Sequence, residues 1–184
     1  MSSVKKNGWK LLVSVLLTSG LLFGGMAAPV FAAVDDPATA PQPKLAGDGV
    51  KHFFEGVLIR TFRYQESMTA YIGASLEKVN DSMSQAEVRM DELIEEGKDV
   101  TELEEAAARF EILIEESQNA YSAAQSLVDL HSGFDDKGRV EDLVKARETI
   151  KAIEPYLSTA RENIVEAVRV LYEAVQAYQI DNKI

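Results

Sequence analysis

The chain has 184 residues, a formal net charge of −11 and no cysteine. The lack of cysteine excludes disulfides, thiolate metal sites and a cysteine nucleophile. The acidic balance argues against nucleic acid and anionic membrane surfaces as partners, because like charges repel.

The N-terminus predicts a secretory signal peptide over residues 1–32. Three lysines precede an apolar run at residues 11–23, and Val30 and Ala32 stand three and one positions before Ala33. A retained membrane anchor is the alternative, because the apolar character continues to the end of this segment. Cleavage would remove three positive charges from the −11 and leave −14. We then expect an extracytoplasmic protein: secreted, periplasmic or in the cell envelope.

Residues 33–49 predict an extended tether, because Pro37, Pro41 and Pro43 prevent one continuous helix. Residues 50–184 have the length of one domain with a single core. Their apolar residues recur at three-and-four spacing and never alternate over a strand length. The sequence therefore predicts an all-α domain, an antiparallel three-helix bundle of long, coiled-coil-like helices.

The first helix is predicted over residues 50–96 and the second over residues 101–131. Gly97 can take the left-handed conformation that ends a helix, and Asp99 and Thr101 each begin a possible capping box. The first helix contains Gly73, which permits a bend or a close helix approach. Its seam keeps a heptad-like spacing through Ile72, Leu76, Val79, Met83, Ala86, Met90 and Leu93.

The second helix is expected to end at Gly133 in a Schellman motif, with Phe134 packing back on Val128. Asp135 and Gly138 fit the first and fourth positions of a type I turn. A third helix is predicted from near Val140 to the C-terminal region. Pro155 interrupts it and predicts a kink, which would open a ligand groove in the sharper interpretation.

Two stretches carry a resemblance to known proteins, residues 92–104 and residues 131–140. The second stretch contains the loop His-x-Gly-Phe-Asp-x-x-Gly-x-Val. Across residues 64–171 the chain resembles a group of uncharacterised exported all-helical bacterial proteins, Chloroflexi-like in character. The resemblance implies the same helix boundaries, and it implies no activity and no site residues.

The motifs of common enzyme classes are missing from the sequence. There is no Glu-x-x-His, His-Glu-x-x-His, Gly-x-Ser-x-Gly or glycine-rich phosphate loop. We expect no enzymatic activity, no cofactor and no metal centre. A minority interpretation places a divalent cation at the second inter-helix connection, on His131, Asp135, Asp136, Glu141 and Asp142.

One apolar segment has no predicted covering. The first helix, at 47 residues, exceeds the second, at 31, by 16 residues or ~24 Å, so its start should project into water. We expect this segment to self-associate or to bind a protein partner, with no nucleic acid and no membrane involved after cleavage. The alternatives are a tether folded back over it or a bend near Gly73. Its interaction surface is Phe53, Phe54, Val57, Leu58 and Phe62.

Two functions therefore stay open at the level of sequence. The first is a non-enzymatic extracytoplasmic interaction or spacer module. The second is cation or small-ligand binding at the second connection or at the Pro155 kink.

Overall fold

Three helices make up the computed structural model, which describes residues 48–182 apart from the side chains of Asp48 and Val50. They are α1 (Asp48–Glu95), α2 (Thr101–Leu130) and α3 (Leu143–Asn182). Within the described residues the extended backbone is limited to an isolated antiparallel bridge between Phe134 and Val140. The predicted all-α three-helix bundle is confirmed. The predicted signal peptide and residues 33–47 of the tether lie outside the described residues.

The α1–α2 turn ends α1 as the sequence predicts. Gly97 has φ +72°, and the N–H groups of Gly97 and Lys98 donate to the carbonyls of Ile94 (2.9 Å) and Leu93 (3.0 Å). This is the Schellman pattern, which satisfies carbonyls that the helix end leaves open. Neither predicted capping box provides the N-cap of α2, which is Val100 with no side-chain bond.

The end of α2 differs from the prediction. α2 ends at Leu130, and His131 takes the left-handed conformation with φ +33°, donating its N–H to the Leu127 and Val128 carbonyls. Gly133 also has a positive φ, +86°, but it serves packing: a Cβ there would lie 2.2 Å from the backbone nitrogen of Ala146. The connection can therefore press against the first turn of α3 only because residue 133 has no side chain.

The start of α3 lies at Leu143 rather than near Val140. Val140 is held in the bridge to Phe134, so the helix cannot begin there. Asp142 caps it instead, because its Oδ1 accepts the N–H groups of Val144 (3.0 Å) and Lys145 (3.1 Å). The helix then continues through Pro155 to Asn182.

α2 and α3 pack through small side chains. Ser117 Oγ on α2 donates to the Ala160 carbonyl of α3 (2.8 Å). Thr149 Oγ1 on α3 donates to the carbonyl of Ser132, which follows the end of α2 (2.9 Å). Small residues let helix backbones approach closely, so the two helices form the densest interface of the bundle. The buried small residues are Ala106, Ala107, Ser117, Ala120 and Ala124 on α2, and Ala146, Ala160 and Ala167 on α3.

α1 packs across this pair through larger side chains. The predicted seam is buried, with the exception of the partly buried Met90. At Gly73 the space for a Cβ is occupied by Tyr121, whose hydroxyl oxygen would lie 2.8 Å away, so this glycine supports a close approach. A second cluster closes the far end of the bundle: Leu93, Val100, Leu103, Val175 and Tyr178.

Phe110 provides a direct test of the buried face. Its side chain is 2% exposed whereas the neighbouring Glu111 is exposed. We expect Phe110→Ala to lower the free energy of unfolding by about 3–5 kcal/mol, and Glu111→Ala to change it by less than about 0.5 kcal/mol. Urea unfolding followed by circular dichroism measures both. Equal losses would contradict the assignment of the core face.

Gly133 provides a second test, with Gly138 as its matched control. Both have positive φ, +86° and +71°, but a Cβ on Gly138 would meet nothing within 4 Å. Gly138→Ala therefore carries only backbone strain, about 1 kcal/mol, whereas Gly133→Ala adds a backbone clash and must displace α3. Thermal unfolding should separate the two variants clearly. Similar melting temperatures would mean that the Gly133–Ala146 approach is not required.

Candidate functional site

The first turns of α1 carry a pair of exposed aromatic side chains. Phe53 is 64% exposed and Phe54 is 55% exposed, and their rings meet edge to face at a centroid distance of 5.8 Å. Val57 and Leu58 are partly buried, and Leu58 packs against the main core. Exposed aromatic side chains next to apolar neighbours are typical of interfaces. Four of the five predicted surface residues therefore form one apolar patch, which consists of Phe53, Phe54, Val57 and Leu58.

Phe62, the fifth predicted residue, does not belong to an exposed surface. Its side chain is 1% exposed and stacks on Phe134 at a centroid distance of 4.2 Å. The prediction considered only the second and third helices as cover for the start of the first helix and assigned residues 135–138 to a turn. The connection instead folds over α1 and inserts its one aromatic ring into the core.

The uncovered part of α1 is accordingly shorter than the sequence predicts. Gln65 Nε2 donates to the Ile150 carbonyl at 2.9 Å, an offset of 85 positions between the parallel helices α1 and α3. With the same offset, Leu143, the first residue of α3, comes level with Leu58. Only residues 48–57 project beyond it, ten residues or ~15 Å in place of the predicted ~24 Å.

Charge is distributed unequally between two parts of the bundle. Residues 48–66 and 129–154, which meet at the Phe62–Phe134 and Gln65–Ile150 contacts, hold eight Lys or Arg and ten Asp or Glu, a net charge of −2. We call this part the near-neutral end. Residues 67–128 and 155–182, the acidic body, hold six Lys or Arg and eighteen Asp or Glu, a net charge of −12. The apolar patch lies on the near-neutral end.

Asp135 organises the α2–α3 connection. Its Oδ1 accepts the N–H groups of Lys137 (2.9 Å) and Arg139 (2.8 Å), and its Oδ2 accepts from Arg139 Nε (2.7 Å). Gly138 N–H donates to the Asp135 carbonyl at 2.7 Å, which closes the predicted turn. The backbone N–H and then the side chain of Arg139 are the main causes that hold the pKa of Asp135 below its usual value.

The five candidate cation ligands are not brought together. His131 Nδ1 bonds to the Asp129 carbonyl oxygen at 2.7 Å, and its Nε2 lies 3.6 Å from Asp136 Oδ1. Asp135 is engaged in the turn and Asp142 in the α3 cap, whereas Glu141 is exposed. In residues 48–182 no three His, Asp or Glu side chains are grouped so that they could hold a metal ion.

A groove that the sequence does not predict runs between α1 and α2. It consists of two adjoining cavities of about 500 and 400 Å³ that share Asn80 and Gln118. Its floor is formed by core residues such as Phe110, 2% exposed, so it offers little apolar surface to a ligand. Its charged lining residues are Glu77, Glu87, Glu111 and Glu115.

Pro155 does not line this groove. It lies on an exposed face of α3, and the helix is continuous around it. One turn earlier, the Ile150 carbonyl accepts the bond from Gln65, next to the Lys151 carbonyl that Pro155 deprives of its helical donor. The residue that sequence analysis missed here is Gln65, whose polar side chain interrupts an apolar stripe and is 4% exposed.

Comparison of the chain with protein families, with curated proteins and with solved structures finds no match. None of the three helices in residues 48–182 is long and apolar enough to cross a membrane.

The Asp135–Arg139 pair predicts a pH dependence. The pKa of Asp135 is lowered in the folded state, so its ionised carboxylate stabilises the fold at pH values above its ordinary pKa of 3.8. This stabilisation is lost as the pH falls through the lowered pKa. We expect Arg139→Ala to move the titration midpoint of Asp135 upward, measured by carboxyl NMR shifts. Asp99 is the internal control, because its pKa is lowered by Thr101 and should not move. An unchanged Asp135 midpoint would contradict the part of the pKa lowering that is assigned to the Arg139 side chain.

Proposed function

We propose that this protein is a non-enzymatic, extracytoplasmic helical module that separates and connects other components through protein–protein contact. The observation that supports the proposal is the apolar patch on α1, where Phe53 and Phe54 are more than half exposed on a helix end that projects beyond α3 in the part of the chain that the structure describes. Large aromatic side chains contribute strongly to protein interfaces, because they bury much surface with little loss of rotamer entropy.

The shape of the bundle supports a spacer role. α1 has 48 residues, which corresponds to ~72 Å at 1.5 Å per residue. Its coiled-coil-like seam would make most of this length stiff, because the turns of α1 that follow residue 57 pack against the rest of the bundle. A partner bound at the near-neutral end would thereby be kept far from the opposite end of the bundle, where the α1–α2 turn lies.

A protein partner fits the patch better than a charged polymer. The near-neutral end has a net charge of only −2, so it has no field that attracts nucleic acid or a strongly basic surface. The extracytoplasmic location rests on the signal peptide predicted at residues 1–32. Cation or small-ligand binding is not favoured by any specific contact, because Asp135 and Asp142 already accept backbone N–H groups.

Site-specific photocrosslinking tests the proposal. Phe54 is replaced by benzoylphenylalanine in the full chain, expressed in its own host, and the control replacement is at Ile112, which is 59% exposed on the acidic body. We expect protein adducts from position 54, because an interface there holds a partner within reach of the probe, and few from position 112. Equal yields from the two positions would contradict the proposed function.

A further inference from the structure

We infer that the partner at the apolar patch is a second copy of this chain, joined end to end through residues 49–59 of α1. This inference rests on the proposed function and names the partner of the same surface. Three features of the near-neutral end support this inference. They are an apolar stripe on α1 that extends beyond the elements packed against it, two glycines with free space where a Cβ would lie, and the distribution of charge.

The core stripe of α1 continues past the elements that cover it. Phe54, Leu58 and Phe62 are spaced four residues apart and therefore lie on one face of the helix. Phe62 is covered by Phe134 and Leu58 packs against the core, whereas Phe54 remains 55% exposed one turn further on. A second helix laid against this turn would extend the core by one layer.

Two glycines make the adjacent face self-complementary. Gly49, Phe53 and Gly56 follow three-and-four spacing, and a Cβ on either glycine would meet nothing within 4 Å. Of the two, Gly56 lies in the interior of α1, where glycine costs about 1 kcal/mol relative to alanine, so its presence needs a reason other than helix stability. In an antiparallel pair related by a two-fold axis, Phe53 of each copy can lie over Gly56 of the other.

The distribution of charge favours this end of the bundle for contact between two copies. Side-by-side packing would bring two acidic bodies of −12 together, whereas end-to-end packing brings together two ends of −2 and keeps the acidic bodies apart. Within the segment, Glu55 is already paired with Lys51 at 3.9 Å and His52 at 3.0 Å. Self-association of an acidic protein is therefore least opposed here.

The size of the surface sets the expected affinity. About three helical turns on each copy offer less area than the roughly 1,200–2,000 Å² of a standard stable interface. The dimer should consequently be weak and concentration-dependent.

Sedimentation velocity over a concentration series tests the inference on the full chain as its host processes it. We expect a monomer–dimer equilibrium that Phe53→Gln/Phe54→Gln weakens by at least about tenfold. The matched control is Val88→Gln/Ile112→Gln, which removes two apolar side chains 61% and 59% exposed on the acidic body and should leave dimerisation unchanged. Equal weakening by both pairs would overturn the inference.

The Gly56→Leu variant distinguishes a lost contact between the two copies from a loss of helix stability. Leucine favours the helix more than glycine does, so this variant should raise thermal stability while weakening the dimer, because its side chain blocks the close approach. A dimer as strong as that of the wild type would overturn the paired-helix geometry.

Distances between spin labels test the orientation. The chain has no cysteine, so Arg63→Cys and Lys98→Cys each give one labelled site. End-to-end dimers should give a measurable distance between the labels at position 63, whereas the two labels at position 98 should lie on the order of 100 Å apart and give none. A short distance at position 98 would overturn the inference.

A chain that stays monomeric at all concentrations would also overturn the inference. The proposed function would survive that result if position 54 still formed adducts with a different protein. Failure of both experiments would overturn both proposals.

Discussion

The contact of Gly133 with the first turn of α3 is the constraint on which the arrangement of the bundle depends. A Cβ at this position would lie 2.2 Å from the Ala146 nitrogen, so the connection can approach α3 this closely only with glycine there. The approach places Phe134 over Phe62, where the two rings stack. One residue without a side chain thus determines how far the connection reaches along α1.

How far the connection extends along α1 also determines which part of this helix the other described elements leave exposed. Phe62 becomes core, and Phe54, two turns nearer the N-terminus on the same face, stays in water. Two carboxylates stabilise the α2–α3 connection. Asp135 accepts a backbone N–H within its turn, and Asp142 accepts a backbone N–H at the start of α3. The same bonds leave these carboxylates less free for a cation.

The fold is largely predictable from the sequence because its signals are local. The spacing from Ile72 to Leu93 identifies the buried face of α1, and Gly97 identifies its end, since both depend on neighbours within a few residues. The stacking of Phe134 on Phe62 is not predictable in this way, because the two residues are far apart in sequence. The same holds for the unequal charges, which emerge only when residues 129–154 are placed beside residues 48–66.

Hydroxyl-radical footprinting of phenylalanine at two protein concentrations can show whether the α2–α3 connection buries Phe62 and whether a second copy binds the start of α1. We expect Phe62 and Phe134 to stay unmodified at both concentrations, and Phe53 and Phe54 to be modified in dilute protein and protected in concentrated protein. Modification of Phe62 to the same extent as Phe54, or of Phe54 at the same rate at both concentrations, would contradict this expectation.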